Sequence, residues 1–130
     1  RHCWCGRSGC LETFLSESGF EDDYERITGE RHDAASIAAA AATGDIVADS
    51  VVQVFEDRLG RATATIISLF DPQMIILGGM VPLPERLETR VPRKWPGYVQ
   101  INRTKTRLAV SANGADALLK GAALLMSGKN

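Results

Sequence analysis

Asp71-Pro72-Gln73-Met74-Ile75-Ile76-Leu77-Gly78-Gly79 is the stretch that decides the fold class. Asp71-Pro72 ends the helical pattern before it, because proline carries no N–H for a helix or sheet ladder. Met74 to Leu77 is a short, wholly apolar run, which predicts a strand buried on both faces. Gly78-Gly79 follows the strand directly. Upstream runs the longest helical pattern, about Ile46 to Phe70. Ile46, Val47, Val51, Val54, Phe55, Leu59, Ala62, Ile66 and Leu69 recur there at three- and four-residue steps, as one buried stripe requires. Gly60 costs that helix roughly 1 kcal/mol against alanine, which predicts a closely packed neighbour at that point.

Further out, the segment 82–97 carries four prolines, at 82, 84, 92 and 96. Leu83 to Val91 is predicted helical, and Pro92 bends or ends it. Thr106 to Val110 reads as a second strand, Asn113-Gly114 as a turn and Ala115 to Met126 as a closing helix. Toward the other end, residues 1–10 read as a loop. Glu12 to Ser18 reads as a short helix ended by Gly19, and 20–28 as a second helix stopped by Gly29. Asp33 is the expected N-cap of an alanine-rich helix running to about Ala42, and Asp45 of the long helix. Helices, strand, helix, strand and helix in that order predict an α/β layer with a short sheet. The 130 residues are read as one domain. Within it, 1–12 is the loop segment, 13–70 is helical and 71–130 is strand-helix-strand-helix.

With 15 basic and 16 acidic residues the net charge is −1. No global field draws such a chain to nucleic acid or anionic lipid, so neither is an expected partner. No apolar run reaches bilayer length. The opening Arg1-His2-Cys3 carries no apolar leader, so a cytoplasmic location is expected. It also starts inside a motif, which reads as a piece of a longer protein.

All three cysteines, Cys3, Cys5 and Cys10, fall in the first ten residues. Three thiolates so close can meet at one tetrahedral ion, and Gly6 and Gly9 allow the tight backbone this needs. Zinc is the natural ion for sulfur ligands. The alternatives are three reduced thiols, or a Cys3–Cys10 or Cys5–Cys10 disulfide. His2 and His32 are the histidines available as a fourth ligand. Glu12, two residues past Cys10, reads on its own as a favourable charge in the first turn of a helix. Asp22, Asp23 and Asp57 read as solvated helix charges.

The pattern Cys3-x-Cys5-Gly6-x-x-Gly9-Cys10-x-Glu12 resembles the signature of the ROK family, which contains bacterial sugar kinases and sugar-responsive repressors. The resemblance continues through Asp71-Pro72, the apolar strand and Gly78-Gly79 to Lys120-Gly121-Ala122-Ala123. It implies the C-terminal lobe of an actin-like ATPase (ribonuclease H-like) fold. It further implies a structural zinc on Cys3, Cys5 and Cys10, with the fourth ligand a histidine upstream of Cys3 rather than His2. Glu12 matches the glutamate that binds sugar hydroxyls, and Gly78 and Gly79 match glycines near the adenosine of ATP. Lys120 reads as an exposed helix residue. No position matches the family's catalytic aspartate or its Asp-x-Gly-x-Thr phosphate loop, so this chain alone is expected to be inactive.

Glu12-Thr13-Phe14-Leu15-Ser16, with Gly19-Phe20 and Tyr24, is more similar to fructokinases and mannokinases than to repressors. Those kinases usually have glycine where this chain has Glu17. The function this implies is an ATP- and Mg²⁺-dependent kinase of a hexose, fructose first, acting as a homodimer. The alternative is a sugar-responsive repressor.

Overall fold

The computed structural model describes residues 1–79, 82–99 and 105–128. Its elements are α1 (Glu12–Leu15), α2 (Glu17–Thr28), α3 (Ala34–Ala42), α4 (Ile46–Phe70), β1 (Met74–Leu77), α5 (Pro84–Arg90), β2 (Arg107–Val110) and α6 (Ala117–Met126). A 3-10 turn spans Pro92–Gly97 and another Gly114–Asp116. The helix starts carry the side chains the sequence calls for. Asp33 accepts from the Ser36 amide at 2.8 Å and Asp45 from the Ala48 amide at 2.7 Å. Gly29 closes α2 in the left-handed region, with φ 79°.

The first helical stretch departs from expectation. It breaks at Ser16 rather than ending at Gly19, and Gly19 lies in the first turn of α2. Ser16 adopts extended backbone and its hydroxyl accepts from the Gly19 amide at 3.1 Å, so it caps α2. Gly19 is required for a different reason than a stop. A Cβ there would lie 2.8 Å from the Thr13 carbonyl oxygen, because α1 folds back on the start of α2.

β1 and β2 pair in parallel, from Met74 opposite Arg107 to Leu77 opposite Val110. Parallel neighbours need a crossover, and α5 with the Pro92–Gly97 turn provides it. Val110 donates its amide to the Glu88 carboxylate at 2.6 Å, which ties α5 to β2. Among the described residues β1 is covered on one face: Ile75 and Leu77 pack on the core, whereas Ile76 is 63% exposed. The expectation of a strand buried on both faces is therefore corrected.

The core gathers around α4, against which α1, α2, α3 and the Pro92–Gly97 turn all pack. Phe20 of α2 meets Phe55 edge to face at 5.5 Å. Ile37, Val51, Val52, Ile67, Leu87, Val91 and Trp95 fill the rest. The buried positions of α4 are not the expected stripe. Val51, Phe55 and Leu59 are buried as expected, but Ile46 and Leu69 are 82% and 70% exposed. Ala48, Glu56, Gly60, Thr63 and Ala64 are buried instead. Small residues admit close neighbours, and the polar ones have partners. Trp95 donates its indole N–H to the Thr63 hydroxyl at 2.9 Å. Arg86 of α5 donates Nε to Glu56 at 2.5 Å and Nη1 to Asp49. The Asp49 carboxyl is held below its ordinary value by the Arg86 hydrogen bond and then by Gln53.

Gly60 has the neighbour it predicts, with the Lys94 Cβ 3.3 Å and the Tyr98 ring 3.8 Å from where a Cβ would sit. Tyr98 also donates its hydroxyl to Asp57 at 2.6 Å, so Asp57 joins α4 to this turn rather than standing free in solvent. α6 makes its main contacts with the adjoining 3-10 turn and leaves Leu125 and Met126 83% and 90% exposed. Among the described residues, no single helix is long and apolar enough to cross a membrane.

Three outcomes follow from this packing. Gly19→Ala lowers stability by about 1–2 kcal/mol in urea unfolding, since the clash with backbone outweighs the roughly 1 kcal/mol gain in helix propensity; Gly60→Ala, whose Cβ would press on the Lys94 Cβ by only a few tenths of an ångström, changes it by less than about 1 kcal/mol because the propensity gain offsets that contact. Arg86→Met leaves the Glu56 carboxylate buried without its cation and lowers stability by about 3 kcal/mol. An unchanged urea midpoint for Arg86→Met would contradict the assigned role of that ion pair.

Candidate ligand cleft beside a three-cysteine loop

Residues 1–10 form a tight hairpin-like loop. His2 and Ser8 bridge in antiparallel fashion, the Cys3 amide donates to the Arg7 carbonyl at 2.8 Å and the Gly9 amide to the Arg1 carbonyl at 2.9 Å. The path turns at Gly6 and Gly9, both in the left-handed region with φ 83° and 77°. These turns bring the three sulfurs together, all within 4.8 Å of one another. Cys5 and Cys10 stand 3.6 Å apart, and all three cysteines are free.

That spacing fits a thiolate metal. Two sulfurs held about 2.3 Å from one zinc at the tetrahedral angle lie about 3.8 Å apart. The thiols also influence one another. The Cys5 thiol is lowered by the Arg7 backbone amide first and then by its sulfur neighbours. Cys10 is pushed up to about 11, chiefly by its hydrogen bonds to Cys5 and Cys3. Three anionic sulfurs this close need a cation to coexist, and a soft dication between them supplies it. Neither histidine joins the group: His2 Nδ1 pairs with the Ser8 hydroxyl at 3.2 Å, and His32 stands beside Glu30 and the edge of Tyr24.

The loop delivers the chain directly into α1. The Thr13 amide and hydroxyl both bond the Cys10 carbonyl, at 3.0 and 2.8 Å. Glu12, the first residue of α1, is exposed. It lines two clefts. One, of about 650 Å³, is shared with Leu15, Ser16, Glu17, Ser18, Glu21, Gly78 and Gly79. The other, of about 380 Å³, is shared with Arg1, His2, Trp4, Thr13, Ser18, Asp22 and Arg26. Glu12 and the Gly78-Gly79 pair, 66 residues apart in sequence, therefore face one space. Gly79 has φ 82°, which asks for glycine. Gly78 does not, and among the described residues, its chain neighbours aside, a Cβ on either glycine would meet no atom within 4 Å. Lys120 stands at an exposed position of α6, within 4.0 Å of Asp116.

Sequence reasoning missed one buried aspartate of α2. Asp22 is half exposed and pairs with Arg31, as a solvated charge does. Asp23 is only 8% exposed and is bonded by both Arg1 and Arg58, so its reading as a solvated charge is corrected. The available signal was spacing. Asp23 lies three residues after Phe20, on the same face of α2 as that fully buried ring.

Comparison with known proteins places this geometry. A profile described as the ROK family matches residues 1–129. The N-acetyl-D-glucosamine kinase of Pectobacterium carotovorum subsp. carotovorum (strain PC1) is 32% identical over 123 residues, covering 95% of this chain and 40% of that protein. A ROK family glucokinase from Streptomyces griseus, solved with glucose and AMPPNP, superposes with a TM-score of 0.79 at 25% identity, over 95% of this chain and 46% of its own. A ROK family transcriptional regulator, a homolog of the E. coli MLC protein, superposes with a TM-score of 0.70 at 29% identity, over 85% of this chain and 31% of its own. The chain thus spans less than half the length of these relatives, and its fold is that of the C-terminal half of actin-like sugar kinases. The three-cysteine loop, the cleft-facing glutamate and the strand with its paired glycines belong to one molecule with one ancestry: the chain is a member of the ROK family.

Proposed function

We propose that this chain is the C-terminal lobe of an ATP- and Mg²⁺-dependent hexose kinase, in which Glu12 binds sugar hydroxyls and Gly78 and Gly79 border the nucleotide. The observation that carries the reading is the shared cleft, which sets an exposed carboxylate opposite two open glycines. An ionised carboxylate accepts strong hydrogen bonds from neighbouring hydroxyls, and bare glycine backbone admits a flat ligand closely. Phosphoryl transfer of this kind rests on positioning and charge stabilisation. The segment 1–12 is the metal and sugar side of the lobe, and 71–130 the nucleotide side.

Cys3, Cys5 and Cys10 would hold a structural zinc, which anchors the backbone two residues before Glu12. The residue pattern from Glu12 to Tyr24 favours fructose. The two kinases named above carry the names of N-acetyl-D-glucosamine and glucose, and we take a glucose-configured sugar as the better first substrate. Cytoplasmic location and a homodimer complete this reading.

A second reading is a sugar-responsive repressor, and the superposition on a ROK transcriptional regulator is what favours it. An upstream pair of DNA-binding helices supports the repressor, and an upstream Asp-x-Gly-x-Thr loop supports the kinase.

The full-length protein, given ATP, Mg²⁺ and in turn N-acetyl-D-glucosamine, glucose, fructose and mannose, is expected to form a hexose phosphate. No product from any of them sinks the kinase reading. Glu12→Gln weakens hydrogen bonds to a charged acceptor, each worth about 1.5–3 kcal/mol, so the sugar KM rises roughly 10- to 100-fold. The KM for ATP changes little. Elemental analysis gives about one zinc per chain, and Cys10→Ser removes most of it; a metal-free wild-type protein with three reactive thiols rules the zinc assignment out.

A further inference from the structure

Arg1 precedes the three-cysteine loop, yet its side chain is only 10% exposed. Its guanidinium lies over the Phe14 ring at 4.6 Å. Nη1 donates to the carbonyl oxygens of Thr13 and of Gly19, the latter at 3.1 Å. Nη2 donates to Asp23 Oδ1. Arg58 comes from α4, stands 5.0 Å from the centroid of the same ring and donates to Asp23 Oδ2. One carboxylate thus joins two guanidiniums carried by different elements. Two cations grouped around one aromatic ring repel, and at low exposure that repulsion is poorly screened. Asp23 is the acid that lets them share the site.

The bonds run to the residues that frame Glu12. Thr13 is its neighbour, Gly19 lies in the first turn of α2, and Arg1 leads into Cys3. Asp23 itself lines neither cleft, so it acts only through what it holds. We propose that Asp23 is a positioning residue. It clamps Arg1 between α1, α2 and α4, and so fixes the three-cysteine loop and Glu12 relative to the cleft shared with Gly78 and Gly79. The inference rests on the kinase reading and adds to it how the sugar-side carboxylate is kept in place.

The test uses the full-length protein with Asp23→Asn, Asp23→Glu and Arg1→Lys. Lysine keeps a cation for Asp23 but lacks the planar fork that reaches Thr13, Gly19 and Asp23 together. Steady-state rates are measured with N-acetyl-D-glucosamine, glucose and ATP, and the cysteines are titrated with an aromatic disulfide. In Asp23→Asn and Arg1→Lys the sugar KM rises about tenfold, the ATP KM stays within about twofold, and the cysteines react about tenfold faster. Asp23→Glu recovers part of each change. Unchanged sugar KM and thiol rates overturn the proposal, as do sugar and ATP KM rising together, which marks general loss of structure. If Asp23→Asn does not fold, Arg1→Lys decides by the same criteria. A wild-type protein that phosphorylates no hexose overturns the kinase reading instead, and the thiol rates still decide the clamp.

Discussion

Burying a polar group without a partner costs more than the same area of hydrocarbon returns, and that constraint organises this domain. The two strands paired among the described residues cannot enclose a core, and α4 is wrapped by helices on several sides. A helix so enclosed buries polar positions along with apolar ones, and each needs a partner from a particular neighbour. Glu56 takes Arg86, which sets α5. Thr63 takes the indole of Trp95, which sets the Pro92–Gly97 turn. Arg58 takes Asp23, which sets α2. Apolar contact alone would tolerate sliding among these elements, whereas the paired groups allow one arrangement.

The same helix fixes the two sides of the cleft. At its end, Asp71 turns the chain in the left-handed region with φ 41°, three residues before β1, which leads to Gly78 and Gly79. On its flank, Arg58 and Asp23 hold α1 and α2, which carry Glu12 and Ser16. The carboxylate and the glycines belong to distant segments, yet both are referred to one rigid element. A cleft whose two sides are both held by one rigid element keeps its shape better than one built on loops alone.

The three-cysteine loop is local by comparison. Its turns, its two left-handed glycines and the sulfur cluster all lie within ten residues. What links it to the rest is Arg1 and the bonds from Thr13 to the Cys10 carbonyl.

Local features were therefore legible in the amino-acid sequence. The caps at Asp33 and Asp45, the stop at Gly29, the two strands, the cysteine cluster and the close neighbour of Gly60 depend on a few adjacent residues or on one residue's missing side chain. The family was legible for the same reason, since its signature occupies Cys3 to Glu12. The buried face of α4 was not. Hydrophobicity ranks Ile46 and Leu69 above Gly60 and Thr63, but burial follows which neighbours arrive, and those come from α2, α3 and the segment after α5. Nor was the role of Asp23. An aspartate on a helix reads as solvated until Arg1 and Arg58, 22 residues before it and 35 after it, converge on its carboxylate. Sequence determined the turns, the helix ends and the donor atoms of the loop, because short-range sterics and hydrogen bonding decide those. Tertiary structure alone decided which charges are buried and which face the cleft, because that depends on long-range packing around a single helix.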